Sequence, residues 1–178
     1  MTKRADGKFE KIPNDLYRTW DERAARRLFP HLAPRTQFIE PCAGAGDLID
    51  LLRVGGHRCV GAYDLAPLRA DIKPGDATRM RWKTPGRTIF ITNPPWTRPA
   101  LHAIITHLCR QAPVWMLFDA DWLFTDQSAP FLRYLRKVVA VGRLRWIPGT
   151  TMDGFDNCAW YLFDGTRSAT DIIFVGRD

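Results

Sequence analysis

The chain has 178 residues, 46% hydrophobic and 25% charged, a balance typical of a soluble globular domain with one core. Its net charge is +7, which favours a polyanionic partner such as nucleic acid, although a solvated basic surface has the same composition. No apolar run approaches the length of a membrane span, and no apolar segment follows the polar N-terminus, so the sequence predicts no membrane helix or signal peptide and a cytoplasmic protein.

The first third of the chain alternates between helical and strand-like patterns. Residues 1–12 are polar and basic and are predicted to be a loose N-terminal segment, with residues 13–178 forming one domain. Asn14 is a candidate N-cap for a helix over about residues 15–29, which Pro30 ends. A strand over 36–40, a helix over 47–53 and a strand over 58–63 follow.

The remaining segments continue this alternation. A helix over 98–110 carries an apolar stripe at helical spacing. The alternation of strands with helices predicts an open, mostly parallel α/β sheet, in which ligands bind beyond the carboxyl ends of the strands. The other predicted elements are a weak strand over 71–76, strands over 88–92, 114–118, 138–147, 158–163 and 172–175, and a short helix over 129–137.

A small-residue loop over residues 40–47 joins the first predicted strand to a helix. Gly44 and Gly46 let the backbone approach a ligand closely. The loop has no third glycine at dinucleotide spacing and no Gly-Lys-Ser/Thr, which disfavours nicotinamide cofactors and nucleoside triphosphates. Glu40 would repel a phosphate and attract an ammonium group, so the loop fits a cofactor with an amino-acid moiety.

Two further acids follow predicted strands. Asp64 ends its strand and can accept hydrogen bonds from both hydroxyls of a ribose. The carboxylate of Asp76 can accept from an adenine amino group, while the Ala77 N–H can reach a ring nitrogen. For each acid taken alone, a helix cap or an ordinary surface residue is the better interpretation.

Asn93-Pro94-Pro95-Trp96 directly follows an apolar strand. Proline fixes φ and lacks an N–H, so two in succession end the strand and stiffen the turn. The turn offers a carboxamide, unpaired carbonyls and a flat aromatic face, which suit a planar substrate with an exocyclic amino group. A strand-ending loop with a packed tryptophan is the alternative.

Taken in order, these loops resemble those of the class I S-adenosylmethionine-dependent methyltransferases. Asn-Pro-Pro-Trp is similar to the Asp/Asn/Ser-Pro-Pro-aromatic signature of amino-methyltransferases. Residues 146–150 and 156–163 resemble small phage-type DNA adenine methyltransferases. Tyr17-Arg18-Thr19 lies where the family's first cofactor-contacting helix is found, although Trp20 stands where many relatives have proline.

The resemblance implies a single-domain Rossmann-like fold: a mostly parallel sheet, helices on both faces, a C-terminal antiparallel hairpin and no separate target-recognition domain. It also implies S-adenosyl-L-methionine as cofactor, with Asp64 on its ribose and Asp76 with Ala77 on its adenine. Asn93 and the Pro94 carbonyl would hold the target amino group, with Pro95 in the same rigid turn and Trp96 stacked on the base. The expected cofactor-contacting residues are Tyr17, Thr19, Glu40, Cys42, Gly44, Gly46, Asp64, Asp76, Ala77 and Asn93.

The reaction expected from this resemblance is methylation of adenine N6 in DNA. The same signature occurs in enzymes that methylate RNA bases or protein glutamine, and a non-catalytic nucleic-acid-binding module is a further alternative. The positive charge is what favours a nucleic-acid base, and the resemblance to phage-type DNA adenine methyltransferases is what favours DNA. Oligomeric state and target sequence are not encoded in any recognisable pattern.

Two interpretations fit several of the other polar and aromatic residues. Asp119, Asp121 and Trp122 either line the target pocket or form a polar loop with a buried ring. Phe155 or Trp160 can contact nucleic acid, and Arg143 with Arg145 would share one face of a strand, towards phosphates or solvent. Cys42, Cys59, Cys109 and Cys158 are widely spaced, and His102 and His107 lack metal-pair spacing, so the sequence predicts reduced thiols and no metal site.

Overall fold

The computed structural model describes residues 18–83, 86–168 and 171–177. Tyr17, the predicted cap Asn14 and the predicted loose segment 1–12 lie outside these residues. The helices are α1 (Glu22–Leu28), α2 (Asp47–Val54) and α3 (Arg98–Leu108), with 3-10 helices at Phe29–His31, Ala120–Phe124 and Asp126–Tyr134. The strands are β1 (Gln37–Glu40), β2 (Arg58–Asp64), β3 (Lys73–Pro74), β4 (Ile89–Thr92), β5 (Val114–Asp119), β6 (Leu135–Gly142), β7 (Cys158–Phe163) and β8 (Ile173–Val175).

The strands form one sheet of eight in the order β3-β2-β1-β4-β5-β7-β6-β8. Strands β1 to β5 pair in parallel, whereas β7 is antiparallel to both β5 and β6 and forms the hairpin. The predicted fold class is therefore confirmed. From β1 the chain continues on one side into β2 and returns on the other side as β4, so the carboxyl ends of these strands border a crevice.

Helices cover both faces of the sheet because successive strand residues point to opposite sides. Ile39 and Phe90 belong to the core that includes α3. Their neighbours Phe38 and Ile91 belong to the core that includes α1 and α2. All four side chains are buried, and this sandwich holds the carboxyl ends of β1 and β4 side by side.

Helix α1 begins later than predicted. Asp21 is its N-cap and accepts a hydrogen bond from the Arg23 N–H at 3.1 Å, so residues 18–20 are not helical. Pro30 does not end the segment, because the chain continues as a 3-10 helix with the proline near its start, where no donor is needed.

The strand predicted over residues 138–147 was also misplaced. Strand β6 starts at Leu135, which the predicted helix 129–137 included, and ends at Gly142. Gly142 has φ +89°, a conformation that favours glycine and turns the chain out of the sheet. Arg143 and Arg145 therefore do not share one face of a strand, and that prediction is wrong.

Trp160 joins the hairpin to α1. Its ring is fully buried, and its indole N–H donates to the Ala24 carbonyl at 2.8 Å. We expect Trp160→Ala to lower the free energy of unfolding by about 3–5 kcal/mol, because it leaves a cavity and an unpaired carbonyl. Phe124, which is 86% exposed, is the control: Phe124→Ala should change stability by less than about 0.5 kcal/mol. Urea denaturation measures both, and equal effects would contradict this packing.

Candidate functional site

A cleft lies at the carboxyl ends of β1, β2 and β4 and has a volume of about 690 Å³. Glu40 ends β1, Asp64 ends β2, and Asn93 directly follows β4. This is the edge at which the sequence predicted ligand binding. The predicted site residues on its wall are Thr19, Glu40, Cys42, Gly44, Asp64, Asp76, Ala77, Asn93 and Pro95.

Three predicted site residues do not line the cleft. Gly46 is the N-cap of α2 with φ +84°, and a Cβ there would collide with the guanidinium of Arg69. In the structure, Gly46 lets the loop turn tightly into α2. Pro94 is buried, and Trp96 is half-buried between the two cores.

Glu40 is the most deeply buried acid of the cleft, with 1% of its surface exposed. Burial disfavours the charged carboxylate and raises the pKa of Glu40 to about 8. Its Oε1 accepts a hydrogen bond from the Cys42 N–H at 3.2 Å, and the nearby Thr92 hydroxyl opposes part of the rise in the pKa. Oε2 is buried and makes no hydrogen bond of standard geometry with the described residues. A buried, unsatisfied acceptor is costly, and a cationic ligand in the cleft would satisfy it.

Asp64 holds the small-residue loop in place. Its Oδ2 accepts from the Gly44 N–H at 2.8 Å, and its Oδ1 accepts from the Ala66 N–H at 2.8 Å. Gly44 has φ +51°, and no atom lies within 4 Å of the position that a Cβ would take. The backbone of the loop therefore faces open space, where a ligand can approach it.

Asp76 is fixed by its own turn. Its Oδ1 accepts from both the Thr78 hydroxyl at 2.6 Å and the Thr78 N–H at 2.8 Å. These hydrogen bonds lower the pKa of Asp76, so it stays ionised near neutral pH. The second oxygen, Oδ2, lies 3.4 Å from Nε of Arg79 and can accept further hydrogen bonds.

The Asn93 carboxamide is oriented by two neighbours. Its Nδ2 donates to the Thr19 hydroxyl at 3.0 Å, and its Oδ1 accepts from the Trp96 indole N–H at 3.0 Å. An indole N–H can only donate, so this contact determines which side of the amide carries the oxygen. Trp96 thus acts on Asn93 through its N–H, a role that the sequence prediction of a stacking face did not include.

Trp146 sets the position of Trp96, and sequence reasoning gave it no role in the site. The two rings meet edge to face, with centroids 5.4 Å apart and planes at 89°. Trp146 belongs to the segment that follows β6, fifty positions along the chain, so no local spacing could have revealed the contact.

Ion pairs fasten this segment to the start of α1. Arg23 contacts Asp21 and Asp153, each at 2.6 Å, and Arg145 lies 3.5 Å from Asp153. The Arg145 N–H also donates to Asp21 at 3.0 Å. The ring of Trp146, next in sequence to Arg145, is therefore held against Trp96 from outside the cleft.

Two tryptophans proposed as ligand contacts cannot touch a ligand because no part of either ring is exposed. Trp122 and Trp160 are fully buried, and the Trp122 N–H donates to His102 Nε2 at 3.1 Å. Asp119 pairs with Arg98 at 2.8 Å and caps the following 3-10 turn. Asp121 and Phe155 remain exposed.

The described ranges contain neither a candidate metal site nor a candidate membrane helix. They contain no group of three or more side chains placed to hold a metal ion. In the same part of the chain, no helix is both long and apolar enough to cross a membrane.

The fold is that of the class I S-adenosylmethionine-dependent methyltransferases. A putative enzyme of this class from Listeria monocytogenes superposes with a TM-score of 0.59 at 9% identity, covering 90% of this chain and 66% of that one. A modification subunit of a putative type I restriction enzyme from Vibrio vulnificus gives 0.58 at 13%, covering 88% and 46%. A putative RNA methyltransferase from Pyrococcus horikoshii gives 0.55 at 13%, covering 84% and 82%.

The chain spans about two thirds of the first of these structures and less than half of the second. No protein-family model matches the sequence, and no curated protein sequence matches it. At these identities the comparisons show a shared fold and leave the reaction of this protein open.

The buried carboxyl of Glu40 predicts a pH dependence of stability. Its native pKa, about 8, lies above the unfolded value of about 4.3, so the native protein binds more protons between these values. The free energy of unfolding contributed by this group therefore falls as pH rises from about 4 to about 8. Glu40→Gln should flatten that fall in urea titrations at pH 5, 6.5 and 8.

Glu22→Gln is the matched control for this experiment. Its side chain is 63% exposed, so the variant should keep the slope of the parent protein. If Glu40→Gln and the parent protein had the same slope, the carboxyl of Glu40 would not be desolvated in the native state.

Proposed function

We propose that this protein binds S-adenosyl-L-methionine and transfers its methyl group to an exocyclic amino group, with adenine N6 in DNA as the substrate. The observation that carries the proposal is the position of Asn93, on the wall of the same cleft as Glu40, Asp64 and Asp76. An amide acceptor in a rigid turn thus faces the space that three acids and a glycine loop surround.

The cleft fits this cofactor in size and in its donor and acceptor groups. The unsatisfied Oε2 of Glu40 would accept from the ammonium of the methionine moiety, which would also favour the ionised carboxylate. Asp64 would accept from the ribose hydroxyls and Asp76 from the adenine amino group. When bound, the cofactor supplies an electrophilic methyl group on a sulfonium. Gly44 leaves the room that its close approach requires.

Asn93 would accept one N–H of the target amino group, and the resemblance assigns the other to the carbonyl of Pro94, which is buried between two residues of the cleft wall. An aromatic amine is a poor nucleophile because its lone pair is delocalised into the ring, and two acceptors favour the pyramidal nitrogen of the transition state. The bound cofactor would supply the methyl group for this nitrogen, with its sulfur as the leaving group. The surplus proton leaves the methylated nitrogen for water, so no strong base is needed.

One property of the sequence supports a nucleic acid as the substrate: its net charge of +7 favours a polyanionic partner. One solved structure with the same fold is described as a modification subunit of a type I restriction enzyme, which is in keeping with DNA. The predicted basic segment 1–12 would add further phosphate contacts.

The direct test offers DNA and RNA together to the full chain with cofactor, followed by mass spectrometry of the nucleosides. We expect N6-methyladenine in the DNA fraction. If methylated bases appeared only in the RNA fraction, the proposed reaction would stand and its substrate would be RNA. The absence of any methylated base, together with cofactor binding in calorimetry, would direct the search to protein amides.

Replacing Asn93 separates transfer from folding. We expect Asn93→Ala to lower the rate of transfer about 10²–10³-fold, because a pre-organised acceptor is lost, while cofactor affinity changes little. Gln37→Ala removes an exposed carboxamide at the opposite end of β1 and should leave the rate unchanged. If Asn93→Ala lost cofactor affinity to the same extent as the rate of transfer, the role of this residue would be cofactor binding alone.

Trp96→Phe tests the indole N–H separately from the ring. The variant keeps an aromatic face but loses the hydrogen bond to Asn93 Oδ1. We expect turnover to fall about tenfold, the size of one neutral hydrogen bond, with Trp96→Ala falling further because the ring is lost. Full activity in Trp96→Phe would show that the N–H does not orient the amide.

A further inference from the structure

A second cleft lies outside the cofactor site, along the exposed side of α3. We call it the α3 groove, and its volume is about 580 Å³. One wall is α3 with the turn that follows it, and the other is the chain segment after Asp76. The lining residues used below are Thr78, Arg81, His102, His107, Gln111 and Arg110.

The α3 groove is positively charged. Arg81 and Arg110 are exposed, and neither forms an ion pair within the described part of the chain. No aspartate or glutamate is among the described residues that line it. Arg18, Arg69 and Arg98, by contrast, are each neutralised by an aspartate elsewhere in the protein. Two uncompensated guanidinium groups in a concave surface are an attractive site for an anion.

The backbone on both sides of Arg81 is fixed. The Met80 carbonyl accepts from His107 Nε2 at 2.7 Å and from Gln111 Nε2 at 3.2 Å. The Trp82 N–H donates to Gln111 Oε1 at 3.1 Å. Arg81 is therefore held against the helix end that also carries Arg110, so less backbone freedom is lost on binding.

His102 gives the other end of the groove a neutral donor. Its Nε2 accepts from the Trp122 indole N–H, which places the ring proton on Nδ1. Burial and the nearby Arg98 lower the pKa of His102, which agrees with a neutral ring. A neutral N–H donor contributes a hydrogen bond to an anion without adding charge.

The groove leads away from the cofactor cleft. Thr78 lines both clefts, which places their ends next to each other. Helix α3 starts at Arg98, just after the Asn-Pro-Pro-Trp motif, and ends at Leu108, about 15 Å further along its axis, with Arg110 in the turn beyond it. Because a duplex rises about 3.4 Å per base pair along its axis, the distance to Arg110 corresponds to about five base pairs.

We propose that the α3 groove binds the phosphate backbone of the nucleic acid about five nucleotides from the base held at Asn93. Arg81 and Arg110 contact phosphate oxygens, and the His102 Nδ1–H donates nearer the site. The choice of nucleic acid as the polyanion rests on the proposed function. The groove itself rests on its unpaired arginines and their fixed backbone.

The test measures binding of fluorescent adenine-containing DNA duplexes by anisotropy over a series of salt concentrations. Arg81→Ala and Arg110→Ala should each weaken binding of a duplex of about 20 base pairs and lower the salt dependence by about one counterion. Arg58→Ala is the matched control, because Arg58 is also exposed, begins β2 and does not line the groove. It should bind the duplex as the parent protein does.

Substrate length provides a second criterion. An adenine-containing dinucleotide has a single internucleotide phosphate and does not extend from Asn93 to Arg110, so the two variants should bind it as the parent protein does. Cofactor affinity, measured by calorimetry, should be unchanged in all three variants and confirms that they are folded.

Each outcome separates the groove from the proposed reaction. Unchanged binding of the long duplex by Arg81→Ala and Arg110→Ala overturns the groove, whether or not methyl transfer is observed. Weakened binding without any methyl transfer supports the groove and overturns the reaction. If the parent protein bound inorganic pyrophosphate but no nucleic acid, the groove would serve a small phosphorylated ligand, and the present proposal would fail.

Discussion

The cleft depends on the hydrogen bond from the Gly44 N–H to Asp64. It joins the loop after β1 to the end of β2, and the Ala43 N–H reinforces it by donating to the Tyr63 carbonyl at 2.8 Å. Because β1 lies between β2 and β4, fixing this loop also fixes the distance between the acids of one wall and Asn93 on the other. One charge-assisted hydrogen bond thus places two parts of the site that are distant in sequence.

The sequence predicted the sheet and most of the cleft wall because those features are local. A parallel strand that ends in an acid or an amide places that side chain at the carboxyl edge whatever lies elsewhere in the chain. Glu40, Asp64 and Asn93 all follow this rule. Their roles in binding and transfer remain proposals, whereas their shared location is a property of the fold.

The errors came from contacts between distant segments. Asn14 and Asp21 are both acceptable caps by residue type, and in the structure Asp21 also accepts from the Arg145 N–H, a contact 124 positions away. The ring of a tryptophan such as Trp122 can pack in a core or line a pocket. In the structure it is fully buried, and its N–H donates to His102. Periodicity could not predict the end of β6, because one positive-φ glycine interrupts an apolar pattern that otherwise continues.

The ion pairs that hold the segment after β6 have a consequence for enzymology. Arg23 and Asp153 are about 40% exposed, so dissolved salt screens their attraction. This attraction keeps Trp146 against Trp96, and Trp96 in turn orients Asn93. Ionic strength would therefore influence kcat as well as KM, through an electrostatic clamp that no substrate touches. A salt titration of turnover at saturating substrate would report on the clamp separately from nucleic-acid affinity.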